Sequence, residues 1–280
     1  MKKRLFRFAC SIVLSSVVLL PIWLLLIQSI IPATNANLVI MCKEPVYLFS
    51  SNPTLEQFST LFSRHPGISN TLIRDFLWSL MSAVVQCLVS VICGFLLAKY
   101  RGVFTGSITA FFLLTMIIPL QMHLVPICRI IKQAGLDEQP VVMYLTIAFS
   151  PLGSLYMRQV FVRLQNEYIE SFRLESDRIA RLFSYVVFPA AFRAGCVLFL
   201  FSFTEAWSMV EQPLFLIYDS RRYPLSLLLY NMHTKESGVV FATSLLALSP
   251  IILLTGIIIL IAVLRRKRSF VFHMPEDRVE

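Results

Sequence analysis

Glu205 and Glu211 demand a chemical explanation, because both interrupt a long apolar run. An ionised side chain at the centre of a membrane helix costs about 2.5–3.5 kcal/mol on insertion scales, so such a group faces a water-filled cavity or a bonding partner. Thr204, Trp207, Ser208 and Gln212 are their neighbours in the chain. Hydroxyls, carboxamides and carboxylates can all bind the hydroxyl groups of a solute, and an indole offers a flat face to a sugar ring. Thr204, Glu205, Trp207 and Ser208, with Gln121 and His123 from an earlier apolar run, are therefore candidates for lining a polar path through the membrane. A competing reading pairs Glu205 with a neighbouring helix or another subunit, for structure only. His123 reads either as a ligand or as a structural histidine facing a neighbouring helix, and the structural role needs no further group. The histidines at 65, 123, 233 and 273 and the cysteines at 10, 42, 87, 93, 128 and 196 lack metal-ligand spacing. Neither a metal site nor a disulfide framework is indicated.

A second group of chemistry-bearing residues is charged and clustered. Between Glu167 and Arg181, seven of fifteen residues are charged: Glu167, Glu170, Arg173, Glu175, Asp177, Arg178 and Arg181. Apolar residues are interleaved, Ile169 with Phe172, and then Ile179, Leu182, Phe183 and Val186 at helical spacing, which predicts two short amphipathic helices. Ser176 before Asp177 is an N-cap followed by a first-turn acid, and Pro189 marks entry into the next apolar run. Such a bracket at the membrane surface is either a docking surface or a solvated loop whose charges fix topology. The spacing favours neither.

The elements that must carry these residues are apolar blocks. Hydrophobic residues make up 57% of the 280 positions and charged residues 15%, whereas soluble domains have about 25% charged residues. Phe8 to Ile31, Trp78 to Leu97, Val103 to Cys128, Pro140 to Met157, Val186 to Ile217 and Val239 to Leu264 are each of membrane-crossing dimension. Unbroken blocks of this kind predict helices rather than a barrel. The expected fold is all-α, a polytopic membrane protein of about six transmembrane helices. A cytoplasmic helix pair at about 164–185 joins the fourth to the fifth, and one domain covers residues 1–280. The first block is too long for the core of a signal peptide and is expected to be retained.

With six spans, the N-terminus, the second and fourth connections and the tail share one side. That side holds 17 of the 25 basic residues, so both termini are expected in the cytoplasm of a multi-pass plasma-membrane protein. The net charge of +9 follows from this bias and implies no nucleic-acid partner. The sequence contains no G-x-x-x-x-G-K-[ST] phosphate cradle.

Glu170-Ser171-Phe172, three residues, Ser176, nine residues, then Val186-Val187-Phe188-Pro189 resembles the E-A-A-x3-G-x9-I-x-L-P pattern. That pattern marks the permease subunits of binding-protein-dependent importers of the ATP-binding-cassette class. Both alanines are replaced, and Ser176 stands where the family has glycine. Met116-Ile117-Ile118-Pro119 with Gln121 and Pro126, Gly135-Leu136, and Arg158-Gln159-Val160-Phe161 resemble segments of the carbohydrate-type, maltose-transporter-like permeases. So do Ser202-Phe203, Trp207 and Pro213, Tyr223-Pro224-Leu225, and Pro250. The likeness covers roughly Trp78 to Leu264, and the tail from Phe270 to Glu280 lacks the group's glycine-rich ending.

The resemblance implies a non-catalytic permease subunit for a carbohydrate or related polyhydroxylated solute. It implies a second homologous permease subunit, two ATP-binding-cassette ATPase subunits, an extracytoplasmic solute-binding protein and surrounding membrane lipid as partners. ATP and Mg would be bound by the ATPases, with no cofactor on this chain. Glu170, Phe172, Arg173, Glu175, Ser176, Asp177, Arg178 and Pro189 would be the ATPase-coupling residues. Permeases of this type often leave most solute contacts to the other subunit, which inclines Glu205 towards the structural reading. An ion-coupled secondary transporter built on Glu205 and Glu211, or a non-transporting scaffold, are the alternatives. A secondary transporter usually shows internal repeats and broken helices in matching halves, and the sequence shows neither.

Overall fold

A computed structural model of the chain describes residues 16, 19–49, 52–100, 102–136, 139–164, 188–235 and 237–271. Every element among the described residues is helical, as it must be where lipid offers the backbone no hydrogen bonds. The order begins with α1 (Leu19–Ser29), α2 (Ala33–Ile40), α3 (Glu56–Arg64), α4 (Ile68–Lys99), α5 (Val103–Ile117) and α6 (Leu120–Gln133). It continues with α7 (Pro140–Leu145), α8 (Pro151–Leu164), α9 (Phe188–Trp207), α10 (Glu211–Leu216), α11 (Leu225–Lys235) and α12 (Val240–Val271), with single 3-10 turns at Ser220–Arg222 and Ser237–Val239.

Three described stretches are long and apolar enough to cross a membrane: Ile68–Lys99, Phe192–Leu216 and Val240–Ile261. The pair Val103–Ile117 and Leu120–Gln133 makes a fourth if its 99° bend is counted within one span, and Leu19–Ser29 is a shorter apolar helix. Within the described residues the predicted apolar blocks are helical but redistributed by local chemistry. The third block bends because Pro119 lacks an N–H and pushes Ile118 into an extended conformation (φ −76°, ψ 121°). The fourth breaks before Pro151, where Ser150 Oγ accepts from Gly153 N at 3.1 Å and caps α8. The fifth breaks between Trp207 and Glu211. In the other direction, α4 begins ten residues before the predicted block. Its charged start is tolerated because Arg74 Nε and Asp75 Oδ1 pair at 3.0 Å and Arg74 Nη2 donates to Tyr223 O at 2.9 Å. The connections between the first and second and between the fifth and sixth predicted blocks contain α2, α3 and α11. Of the charged segment at about 164–185, all but Leu164 at the end of α8 lies outside the described residues; Pro189 is the second residue of α9.

The chain clusters into two compact units, Met1–Ile73 with Pro224–Pro250, and Arg74–Tyr223 with Ile251–Glu280. In the first, Ile31, Ala36 and Val39 form a buried cluster against Tyr47 and Phe241. Helix α3 clasps this unit through two consecutive residues. Glu56 Oε2 accepts from the N–H of Ala33 at the start of α2 (3.2 Å). Gln57, fully buried, donates Nε2 to the carbonyls of Gln28 (2.7 Å) and Ile31 (3.0 Å), and its Oε1 accepts from Ala242 N (3.3 Å). It thereby satisfies backbone groups that helix ends leave without intrahelical partners.

In the second unit, α4 buries Ser79, Ser82, Ala83, Gln86 and Ser90 on one stripe. Small side chains let membrane helices approach closely. A Cβ on Gly94 would lie 2.6 Å from Met157 Cβ and 2.7 Å from Arg158 N, so α8 presses directly on this backbone. Ala98, Met157, Phe161, Ala194 and Leu198 fill the cluster that results. A second cluster gathers Leu124, Cys128 and Ile131 of α6, Val142, Met143 and Tyr144 of α7, Ala206 of α9 and Leu216 of α10. Helix α6 ends on Gly135 (φ +66°), with Gly135 N bonded to Lys132 O and Leu136 N to Ile131 O. This is a left-handed cap that glycine adopts without strain.

Candidate functional site

Helix α9 presents Arg193, Val197, Phe201 and Glu205, four apart, as an exposed face that Ser208, just past its end, continues. Glu205 is the third residue from the end of α9, not at the centre of an unbroken helix as the apolar block suggested. The break after Trp207 places it there. Its carboxylate has a partner: Gln86 Nε2 on α4 donates to Glu205 Oε2 at 3.3 Å. Gln86 is almost wholly buried, and its Oε1 finds no partner among the described residues. Gln86 is not marked by its residue type alone. Its signal was the recurrence of Ser79, Ser82, Gln86 and Ser90 at spacings of three and four within an apolar block, the mark of one polar helix face.

Gln121, the second residue of α6, reaches the opening residue of α10, with Nε2 donating to Glu211 Oε1 at 2.9 Å. Glu211 Oε2 is buried without a hydrogen-bond partner among the described residues. The structure thus joins Gln121 to Glu211 and Glu205 to Gln86. The other candidates turn elsewhere. Thr204 Oγ1 donates to Leu200 O at 2.8 Å and Ser208 Oγ to Thr204 O at 2.6 Å, so both hydroxyls are spent on their own helix. Trp207 is 7% exposed. Its ring stacks on Phe203 (5.9 Å, 13°) and meets Phe76 edge-on (6.4 Å), so the indole face expected to receive a sugar ring is covered by Phe203. His123 is half-buried on α6.

Chemically, the arrangement offers two carboxylates, each fixed by a carboxamide on another helix, and no group of three metal-binding side chains among the described residues. Glu205→Gln is expected to change the thermal stability of the purified protein by less than about 1 kcal/mol, since an amide oxygen accepts the same bond from Gln86. A much larger loss on thermal unfolding would show that the charge itself is held by another group. The ATPase-coupling candidates Glu170, Phe172, Arg173, Glu175, Ser176, Asp177 and Arg178 fall outside the described residues.

Residues 90–268 match the protein family described as binding-protein-dependent transport system inner membrane component. The chain is similar to the sn-glycerol-3-phosphate transport system permease protein UgpE of Salmonella choleraesuis (strain SC-B67), at 21% identity over 62% of this chain and 64% of that protein. It is also similar to the UgpE of Rhizobium meliloti (strain 1021), at 22% identity over 78% of this chain and 81% of that one. The melibiose/raffinose/stachyose import permease protein MelC of Bacillus subtilis (strain 168) is 20% identical over 74% of this chain and 77% of its own length. The match thus spans 64% of the length of the first of these curated relatives. Among solved structures, a chain of a bacterial ABC transporter involved in the import of the acidic polysaccharide alginate superposes with a TM-score of 0.69 at 16% identity, covering 92% of this chain and 96% of that one. That likeness shows the fold.

Proposed function

The chain belongs to the family of binding-protein-dependent transport system inner membrane components, and from that premise we propose that it is one permease subunit of an ATP-driven importer for a carbohydrate or related polyhydroxylated solute. The observation that carries this reading is the family match over residues 90–268, which runs through the charged segment whose spacing resembles the coupling pattern. The relatives named for sn-glycerol-3-phosphate and for melibiose, raffinose and stachyose support a polyhydroxylated solute.

In this proposal six helices cross the membrane, both termini are cytoplasmic, and a second permease completes the path. Two ATPase subunits bind ATP and Mg, and an extracytoplasmic protein delivers the solute. Force from the ATPases enters at Glu170 to Arg178, and Pro189 passes it into α9. A small displacement at such a packed junction becomes a switch between outward- and inward-facing states because the assembly is bistable. The Glu205–Gln86 and Gln121–Glu211 pairs then serve as fixed polar groups along the path.

The test is to purify the tagged chain from its native membrane and identify what accompanies it. An ATPase and a second permease are expected. Glu170→Lys, or a bulky side chain at Ser176, is expected to abolish solute uptake while the chain still inserts. A chain that purifies alone and transports on an ion gradient would overturn the proposal, and normal uptake by both variants would remove the assignment of the coupling segment.

A further inference from the structure

The loop after α2 carries a row of apolar side chains left largely uncovered among the described residues. Val46, Leu48 and Phe49 are 55%, 64% and 76% exposed, while Tyr47 between them turns inward to the Ile31–Ala36–Val39 cluster. Leu48 and Phe49 form a bend, so both are exposed side by side, and of the four residues only Tyr47 turns to the protein. Tyr47 is latched in place: its hydroxyl donates to Glu44 Oε2 at 2.6 Å, and its carbonyl accepts from Gln28 Nε2 at 2.7 Å. The latch fixes which way Val46, Leu48 and Phe49 face.

It also fixes their depth. Gln28 lies in the last turn of α1, whose residues Leu19, Leu20, Trp23 and Leu26 are all exposed apolar side chains without a charge among them. A helix that is apolar and exposed in this way lies in lipid. Gln28 follows Leu26 by two residues, about 3 Å along a helix axis. The loop backbone is therefore tied to α1 at the level where its lipid-facing surface ends and the chain turns into the interior at Ile27 and Ser29.

We propose that Val46–Phe49 is an interfacial anchor that inserts into the boundary between lipid headgroups and acyl chains beside α1. Continuity with the lipid-facing side of α1 identifies the occupant as lipid. An anchor of this kind holds α2 and the clasp helix α3 at a set height above the hydrocarbon. The inference needs only that α1 lies in lipid, and it stands whether or not the chain serves an ATP-driven importer.

The test uses the intact protein in vesicles of phosphatidylethanolamine and phosphatidylglycerol. A trace of phosphatidylcholine carries a photoactivatable diazirine either near the glycerol end or at the tip of an acyl chain. Mass spectrometry of the labelled peptides is expected to find adducts on Val46–Phe49 mainly from the shallow probe, with Leu19–Leu26 labelled as the internal reference. The double variant Leu48→Asp/Phe49→Asp is expected to lose the loop adducts and keep those on α1, and Tyr47→Ala, which releases the latch, to lower them several-fold. Labelling of α1 without the loop in the unsubstituted protein would overturn the proposal. So would labelling of the loop by a water-soluble diazirine alone, which would mark a surface kept for a soluble protein.

Discussion

Gly94→Leu is expected to prevent the chain from reaching a fold that survives extraction in mild detergent. The atoms that even a methyl group would meet are Met157 Cβ and the backbone at Arg158, not the movable end of a flexible side chain. Relief therefore requires α4 and α8 to separate. Separation opens the cluster of Ala98, Met157, Phe161, Ala194 and Leu198. Overpacking a tight interior costs about 1–3 kcal/mol even when neighbours adjust, which is the range expected for Gly94→Ala. Leucine adds three more carbons in the same space and exceeds it. Gly106→Ala in α5 is the control, because a Cβ there meets nothing within 4 Å. Size-exclusion profile and thermal midpoint are the readouts. A leucine variant with the parent's midpoint would mean that α4 and α8 do not pack this way.

Gln57→Leu is expected to destabilise the first unit by about 3 kcal/mol or more, since each buried group left without its partner costs about 1–3 kcal/mol. Three groups lose theirs together: the carbonyls of Gln28 and Ile31 and the amide of Ala242. Leucine keeps the volume approximately, so the loss reports the hydrogen bonds and not a cavity. Gln57→Glu retains an oxygen for Ala242 but turns a second towards two carbonyls. Its stability is expected to recover partly at low pH, where the neutral acid has an O–H to donate. Ser59→Ala, on the exposed side of α3, is expected to leave the unfolding midpoint unchanged. Equal midpoints for the Gln57→Leu and Ser59→Ala proteins would remove the clasp from the account.

These two residues show where legibility in the sequence ended. The block from Trp78 to Leu97 announced a membrane helix, yet nothing in that block marked Gly94 as a contact, because the atoms it meets belong to a helix more than sixty positions later. Gln57 lay in the connection between the first two apolar blocks, and its three partners lie 29, 26 and 185 positions away. The candidate path was half legible. Glu205 and Gln121 stood out as polar groups in apolar surroundings, while Gln86 did not, and Trp207 was read as an open face although Phe203 covers it. An aromatic ring in a sequence carries no sign of which face is free.

What the sequence determined by itself was residence in a membrane, helical backbone and family. Lipid selects on composition over windows of about 20 residues, and the coupling-type pattern is a matter of local spacing. Only the tertiary structure decided where the apolar blocks bend, which buried polar groups meet and which side chains remain uncovered. Those outcomes depend on pairs such as Gln86 and Glu205, 119 positions apart, whose meeting is set by how whole helices pack.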